Sequence, residues 1–572
     1  ESKCLFFLGV TDGVIPGGVS STGIISELER ESFEEAGIEL APSPKERAFI
    51  QRFYLYMNLT KPSERLILTR PRTDTEGGDR RPSYLLQELK RLFPELQEEL
   101  PEPRDYVLET PESAKELFLS ELPLVRQGES SEEWKQLYAW YKRSPEYAAF
   151  AERMLDAAFL QHEKEKISRE TARALYGAIL SNSVTRLERY AECAFSHFIR
   201  YGLGLTEREL HEFRAPDLGN VYHSALEIYG RRLAEEGLSW TGVSIEEAER
   251  FSEEALSEAI LRNEGGEFFA DAKGQFDRKR MERILKRSVT VMSDQLRAGR
   301  FQPEAYEVRF GGAERLKATR FILGPEEKMF LSGQIDRLDT FEEGEDLYVK
   351  VIDYKSGGTK YDLLAVYEGL QLQLVVYLGV ARELMEQRHP GKNVHPGGIF
   401  YYHLEDPMIQ AEEDLSDEAL RTEILKELRP AGPFNGEDAA VSGLDTGLTD
   451  RSNTASSLVL RAKRKKDGDF DAYSKALSEE DFGVMERVAE QRMLTFARGM
   501  MDGNIAAVPY ERKNQNACTY CAFSGICGFD ESIPGFARRR IAEEGDQSIL
   551  EKMREEDGKH GNQVDRGTKE GH

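Results

Sequence analysis

The chain is short of cysteine, of tryptophan and of long apolar runs. Five cysteines and three tryptophans stand among 572 residues, and no stretch approaches the roughly 20 apolar residues that cross a bilayer as a helix. So few thiols exclude a disulfide framework as the main source of stability. They fit a reducing compartment, hence a cytoplasmic setting without membrane attachment. Glu1 heads a strand-like run with no initiating Met and no basic leader, so the chain is expected to be part of a longer polypeptide. No G-x-x-x-x-G-K-[ST] loop occurs, so no complete ATP site can be assembled and ATPase activity is not expected. Positive charge is also in deficit: 77 Lys and Arg face 103 Asp and Glu, a formal net charge of −26. A polyanion is repelled by such a chain unless cations are gathered locally. They are gathered in RKRMERILKR (278–287), RAKRKK (461–466) and RRR (538–540). A solvated helix face also explains each run, so they count toward nucleic acid only beside an independent site.

A chain of this size exceeds the length at which one core keeps growing, and two to four domains are expected. Residues 1–110 alternate short apolar strands, CLFFLGV and ERLILTR, with helical segments, which suggests a parallel α/β layer with Cys4 as a small buried hydrophobe. Residues 111–182 are acidic and helical and carry Trp134 and Trp140. From 183 to 535 the pattern is mixed: helices, a strand-rich centre near 300–355, a long helix, then GGIFYYHL as another buried strand. Charge and glycine dominate 536–572, where a disordered tail is expected.

The stretch SGQIDRLDTFEEGEDLYVKVIDYKSG (332–357) carries the chemistry. Alternation along LYVKVIDYKS puts Asp353 and Lys355 on one face of a strand. The Gly-containing EEGED reads as a hairpin connection that sets Asp336 on the neighbouring strand. Two converging carboxylates repel, and a hard divalent cation on oxygen ligands relieves the repulsion. A lysine beside such a cation can stabilise developing negative charge, a combination suited to phosphodiester hydrolysis. Upstream, GNVYHSALE places His223 and Glu227 four residues apart on one helix face. Downstream, EGLQLQLVVYLGV places Gln373 and Tyr377 at the same spacing on an apolar helix.

GNVYHSALE, GQIDRLD, VIDYKSG and QLQLVVY, taken in this order, resemble the motifs of the RecB-type branch of the PD-(D/E)XK nuclease superfamily. The resemblance implies His223, Asp336 and Asp353 as metal ligands, the two aspartates also being catalytic. It implies Lys355 as the catalytic lysine and Gln373 and Tyr377 as the family's Q-x-x-x-Y element. Glu307 in YEVRFG matches a further upstream acid, and Glu227 is a possible helper. The implied fold is an α/β restriction-endonuclease-like mixed sheet flanked by helices. The implied working metal is Mg2+ or Mn2+, and the implied substrate is DNA.

Cys193 in YAECAFSHF, with Cys518, Cys521 and Cys527 in CTYCAFSGIC, brackets this section. Four thiolates suit either zinc or an iron–sulfur cluster on chemistry alone. The arrangement resembles the iron–sulfur staple of the AddB family of helicase–nuclease proteins, which implies a [4Fe–4S] cluster on these four residues. LFFLGVTDGVIPG and RFYLYMNLTKPSERLILTRPR are similar to the final motor motifs of a UvrD-like (RecA-like) helicase. Lys61 stands where active relatives carry an arginine, so the motor is expected to be degenerate. The resemblance thus implies a motor remnant (1–110), a helical linker (111–182), a stapled nuclease domain (183–535) and a tail (536–572), with a helicase-like portion before Glu1. It also implies a heterodimer with an AddA-like helicase–nuclease partner and Mg2+-dependent exonuclease action in double-strand-break resection for homologous recombination. A stand-alone iron–sulfur exonuclease of the same superfamily and a nuclease-inactive DNA-end-binding scaffold stay open as alternatives.

Overall fold

Serines followed three residues later by an acid start helices throughout the chain. Ser43, Ser244 and Ser478 each accept the N–H of Glu46, Glu247 or Asp481, whose carboxylate returns to the serine N–H. Each box satisfies two backbone donors that the helix leaves without partners. The structure, a computed structural model, describes residues 2–569 apart from 18–24, 26, 39, 76, 101–107, 209–214, 264–268, 270, 312–315, 317–318, 411–414 and 514. The chain divides into two units, 1–159 and 160–572.

In the first unit β1 (Ser2–Phe7) runs parallel to β2 (Pro62–Leu68), and helix α1 (Pro44–Leu59) lies between them in sequence. The parallel α/β pattern is as expected, but the burial is not. Cys4 is exposed, Phe6 is 62% exposed, and α1 buries none of its residues. β1 has a single strand neighbour among the described residues, which leaves its apolar side chains uncovered. Helices α2 (Ala114–Arg126), α3 (Glu132–Arg143) and α4 (Ala148–Ala158) enclose a small aromatic core. There Trp134 stacks on Phe118 at 5.0 Å and donates its indole N–H to the Phe118 carbonyl. The helical region expected over 111–182 is divided between the units: α2–α4 belong to the first, and a helix over Arg169–Tyr176 to the second.

The second unit is built on an eight-stranded mixed sheet. Its axis is β6 (Lys328–Glu343), long enough to hold several neighbours. β3 (Ile179–Ser183) pairs parallel with the start of β6, β4 (Gln302–Phe310) antiparallel with its later half, and the short β5 (Arg320–Ile322) antiparallel with its start. β7 (Asp346–Lys355) folds back antiparallel through Gly344, whose φ of 64° the tight turn requires. Helix α9 (Gln373–Arg388) then crosses over to β8 (Asn393–His403), parallel to β7. Two short strands, Phe434–Asn435 and Ala476–Leu477, extend the sheet beyond β8.

The period of two sorts β7 between two cores. Leu347, Val349 and Val351 pack with α9, with α5 (Val184–Glu192) and with α10 (Glu479–Met501). Ile352 and Tyr354 pack with α6 (Ala215–Glu235), α7 (Ile245–Arg262) and α8 (Ala272–Ala298). Within this second core Arg337 is 2% exposed and makes a paired contact with Asp339, Nε to Oδ1 at 2.6 Å and Nη2 to Oδ2 at 2.7 Å. Lys350 adds 2.8 Å to Asp339 Oδ2, and the Trp240 ring lies 5.2 Å from the guanidinium. Burial works against ionising Asp339, but its two cationic partners hold the carboxyl down to about 2. Gly230 lets α6 approach β4 closely: a Cβ there would lie 2.3 Å from the Tyr306 ring.

The tail expected over 536–572 is instead structured where it is described. Arg539–Arg540 pairs with Tyr510–Arg512, and α11 spans Asp546–Lys569. Ile549 and Met553, one turn apart in a highly charged sequence, are fully buried in the core beside α10. Charge density hid this pair, since an i, i+4 couple is enough to seat a helix that is otherwise polar. Replacing both by alanine should cost about 4–10 kcal/mol, from roughly 2–5 kcal/mol for each buried aliphatic truncation. Urea unfolding of the double variant checks this, and a loss below about 1 kcal/mol would show that α11 does not seat there.

Candidate active site

The hairpin, the edge strand β4 and the helix α6 meet at three side chains. Ligand atoms of His223, Glu307 and Asp336 all lie within 4.8 Å of one another. His223 Nδ1 is 3.2 Å from Asp336 Oδ1 and 3.9 Å from Glu307 Oε1. The paired ladder of β6 and β7 ends at Arg337 and Ile352, and there Asp336 Oδ2 accepts the Tyr354 N–H at 2.7 Å. Glu307 sits between two paired positions of β4 with φ of 49°. That is a left-handed conformation, strained for a residue with a Cβ, and such strain concentrates at functional sites. Glu307 Oε1 is buried and accepts no hydrogen bond. Burial and the neighbouring Asp336 push the Glu307 carboxyl up to about 7. Burial alone would depress the His223 pKa, but the hydrogen bond and charge of Asp336, with Glu307 and Asp353, raise it above the ordinary value.

Beside this group, Asp353 and Lys355 project together as their alternation requires, with Lys355 Nζ 2.6 Å from Asp353 Oδ2. Gln373, the first residue of α9, joins them. Its Nε2 donates to Asp353 Oδ1 (2.8 Å) and to the Tyr377 hydroxyl (3.1 Å), and its Oε1 accepts from Lys355 Nζ (3.1 Å). Burial and the charge of Asp336 raise the Asp353 pKa against the pull of Lys355. Of the expected ligand set, His223 and Asp336 are in the tight group, and Glu307 holds the third place. Asp353 adjoins it, drawn toward the nearer counter-charge of Lys355. Glu227 lies on the same helix as His223 but pairs with Arg231 at 2.7 Å and Arg262 at 3.7 Å. The other glutamine of the motif, Gln371, ties its own loop by bonds with the Asp362 N–H and the Lys360 carbonyl.

Sequence reasoning missed Glu188. This α5 residue accepts the N–H of Leu372 at 2.6 Å and of Gln373 at 3.1 Å. Its partners lie 184 and 185 residues downstream, so no local pattern could disclose the contact. Burial pushes its carboxyl up to about 7, against those two hydrogen bonds and the charge of Lys355.

Of the four cysteines expected to act together, Cys193 and the 518–527 segment, 325 residues apart in sequence for Cys193 and Cys518, influence one another electrostatically. Cys193 ends α5, and Cys521 Sγ is 4.0 Å from the hydroxyl of Ser196. Burial raises the Cys193 thiol to about 11, with Cys518 and Cys521 among its electrostatic neighbours; Cys518 in turn neighbours Cys521 and Cys527. The basic runs are largely consumed within the molecule. Arg283 and Arg287 pair with Asp406, Lys286 with Glu253 and Glu282, and Arg464 with Asp438. Arg538, Arg539 and Arg540 pair with Glu531, Glu368 and Glu511.

An acid-rich group at the end of a β-hairpin, a lysine two residues after one of its acids, and a helix that closes the site with glutamine and tyrosine define a nuclease-type centre. Residues 181–528 match the model of the PD-(D/E)XK nuclease superfamily, and the chain belongs to that superfamily. It is 35% identical to one of the subunits of an ATP-dependent helicase/deoxyribonuclease from Lachnoclostridium phytofermentans, over 100% of this chain and 49% of the relative. The same helicase/deoxyribonuclease component from Clostridioides difficile and from Bacillus velezensis is 31% and 32% identical, over 97% of this chain and 49% and 48% of its own length. The chain spans about half the length of these curated relatives.

The raised Glu188 pKa predicts a pH dependence of folding. The folded state binds this proton more tightly than the unfolded chain, so the contribution is fully present below about 4.5 and is lost as pH rises to about 7. Urea midpoints of metal-free wild type should therefore fall across that window more steeply than those of Glu188→Gln. Parallel curves would show that Glu188 titrates as it does in the unfolded chain.

Proposed function

We propose that this chain is the nuclease-bearing part of a helicase–nuclease component that hydrolyses DNA phosphodiester bonds with Mg2+ or Mn2+, as an exonuclease working at double-strand breaks for recombination. The observation that carries the reading is the convergence of His223, Glu307 and Asp336 beside the Asp353–Lys355–Gln373 network. The donor set fits a hard divalent cation: carboxylate oxygens and one imidazole, including a buried Glu307 oxygen without a hydrogen-bond donor. His223, Glu307 and Asp336 would hold the ion, with Asp353 beside them. When bound, it supplies Lewis-acid polarisation of the phosphate and a lowered pKa for water.

The chain's own residues do the rest. Lys355 directs its ammonium, braced by Asp353 and Gln373, at the place where negative charge develops on the phosphate oxygens. Tyr377 and Gln373 fix the geometry of that brace, and geometry of this kind is worth orders of magnitude in rate. The names of the relatives, subunits of an ATP-dependent helicase/deoxyribonuclease, support a DNA substrate and a second subunit, read here as an AddA-like partner that supplies ATP-driven movement. The first 110 residues are read as a degenerate UvrD-like motor remnant, with ATP hydrolysis left to the partner.

Cys193, Cys518, Cys521 and Cys527 are read as ligands of a [4Fe–4S] cluster. The electrostatic proximity of Cys193 to Cys518 and Cys521, and of Cys518 to Cys521 and Cys527, supports this reading, and ligation offsets the cost of deprotonating the buried Cys193.

Purified chain should cleave single-stranded DNA in Mn2+ or Mg2+ without ATP. Lys355→Ala should lose roughly 100-fold or more in kcat while Mn2+ affinity changes little, and Glu307→Gln should weaken Mn2+ binding about tenfold. Cleavage at the wild-type rate by a folded Lys355→Ala protein would end the assignment. For the cysteines, anaerobically purified protein should be brown with about four irons per chain. Both should be lost in Cys193→Ala and in Cys521→Ala but kept in Cys4→Ala, and colour surviving the loss of Cys193 would remove that residue from the set.

A further inference from the structure

Glu188 touches none of the candidate metal ligands, yet its carboxylate controls where the site's central amide begins. A helix leaves its first N–H groups without intrahelical acceptors, and a carboxylate there is favoured by the helix dipole. At the start of α9 the N-cap residue is Leu372, whose side chain makes no capping bond. The acceptor comes instead from another helix: Glu188 Oε1 takes the N–H of Leu372 and of Gln373. The residue so capped is the one whose side chain bridges Asp353, Lys355 and Tyr377. Displacing the first turn of α9 would strain all three contacts together.

The cap is itself held firmly. β3 runs directly into α5 and is paired with β6 from Ile179–Lys328 to Ser183–Ser332, on the same strand that carries Asp336. Leu187, next to Glu188, is fully buried, and Tyr190 is buried in the core that contains α9 and α10. Gly369, just before α9, has φ of 78° and no room for a Cβ, which would come 2.4 Å from the Phe496 ring of α10. The approach to α9 is thus clamped by α5 and α10.

We infer that Glu188 is a positioning residue of the nuclease reaction: through Gln373 it keeps the Lys355 ammonium and the Asp353 carboxylate in their working arrangement. The inference rests on the nuclease reading above. It predicts that loss of the acceptor oxygen, not loss of folding, is what slows the reaction.

The test uses the full chain with Mn2+ and a short single-stranded DNA, comparing wild type, Glu188→Met, Glu188→Gln, Gln373→Ala and the Glu188→Met/Gln373→Ala double variant. Glu188→Met should lower kcat about tenfold or more with KM and Mn2+ affinity changed less than about twofold. Glu188→Gln, which keeps an acceptor oxygen, should recover most of that loss. In the Gln373→Ala background the Met substitution should add less than about twofold, because the route through the amide is already cut. Wild-type kcat in Glu188→Met, a full tenfold effect in the Gln373→Ala background, or Mn2+ affinity falling in step with kcat would each overturn the inference. Should Glu188→Met fail to fold, Glu188→Gln and Gln373→Ala still decide: a Gln variant as slow as Gln373→Ala counts against it. Amide exchange gives a readout without cleavage. The Leu372 and Gln373 amides should be protected in wild type and in Glu188→Gln, and equal exchange in Glu188→Met would refute the cap even if no variant cut DNA. Absence of cleavage by the wild-type chain, with the cap intact, would instead count against the nuclease reading alone.

Discussion

The antiparallel register of β6 on β7 is the constraint from which the rest follows. It brings Asp336 level with the end of β7, where the side chain takes over from the backbone ladder and accepts the Tyr354 N–H. That bond fixes one acid, and the alternation of β7 then decides that Asp353 and Lys355 lie beside it while Ile352 and Tyr354 turn to the opposite core. A slip of β7 by one residue would exchange its faces, removing Asp353 and Lys355 from beside Asp336 together. The buried Arg337–Asp339–Lys350 group works against such a slip. An ionic group with several charged hydrogen bonds and little access to water has few alternative partners, and breaking it leaves a buried charge uncompensated.

Around this hairpin the site gathers like charges, and the gathering shows in shifted protonation. Glu307 and Asp353 are both raised by burial and by Asp336, while His223 and Lys355 supply the nearest positive charge. A cluster so arranged is poised to take up a cation, since binding one relieves the repulsion that folding imposes. The strained backbone at Glu307 belongs to the same pattern. Its carboxylate joins the group where the strand departs from regular geometry, at Glu307 itself between Tyr306 and Val308.

Much of this was legible in the sequence, and for a physical reason. D-x-K on a strand, an acid on the neighbouring strand of a hairpin, and pairs at i, i+4 on helices are all local patterns, and local periodicity fixes which side chains share a face. The hairpin, α6, α9 and β8 accordingly fall where the periodicities put them. What escaped was set by distant contacts. Glu188 meets α9 across 184 residues of intervening chain, Glu307 enters through an irregular backbone, and the seating of α11 depends on two apolar residues in a charged sequence. The burial expected for β1 and Cys4 failed in the opposite direction: the pattern was right, but among the described residues nothing covers the strand. Of the basic runs only 278–287 lies on a helix; 461–466 and 538–540 lie outside helices, and several cations of all three are engaged in ion pairs within the molecule.

The order in which the elements occur along the chain has a consequence for synthesis. Every side chain of the acidic group and its lysine–glutamine–tyrosine neighbour lies before residue 378, whereas the helices that back α9, α10 and α11, begin only at Glu479 and Asp546. A chain emerging from the ribosome N-terminus first therefore carries these side chains before the helices that back α9 have been made. The apolar face of α9 must wait for the residues after 478 before it is covered. Support for α9 thus arrives only after residue 478, and a chain interrupted after β8 would carry these side chains without the helices that hold α9 in place.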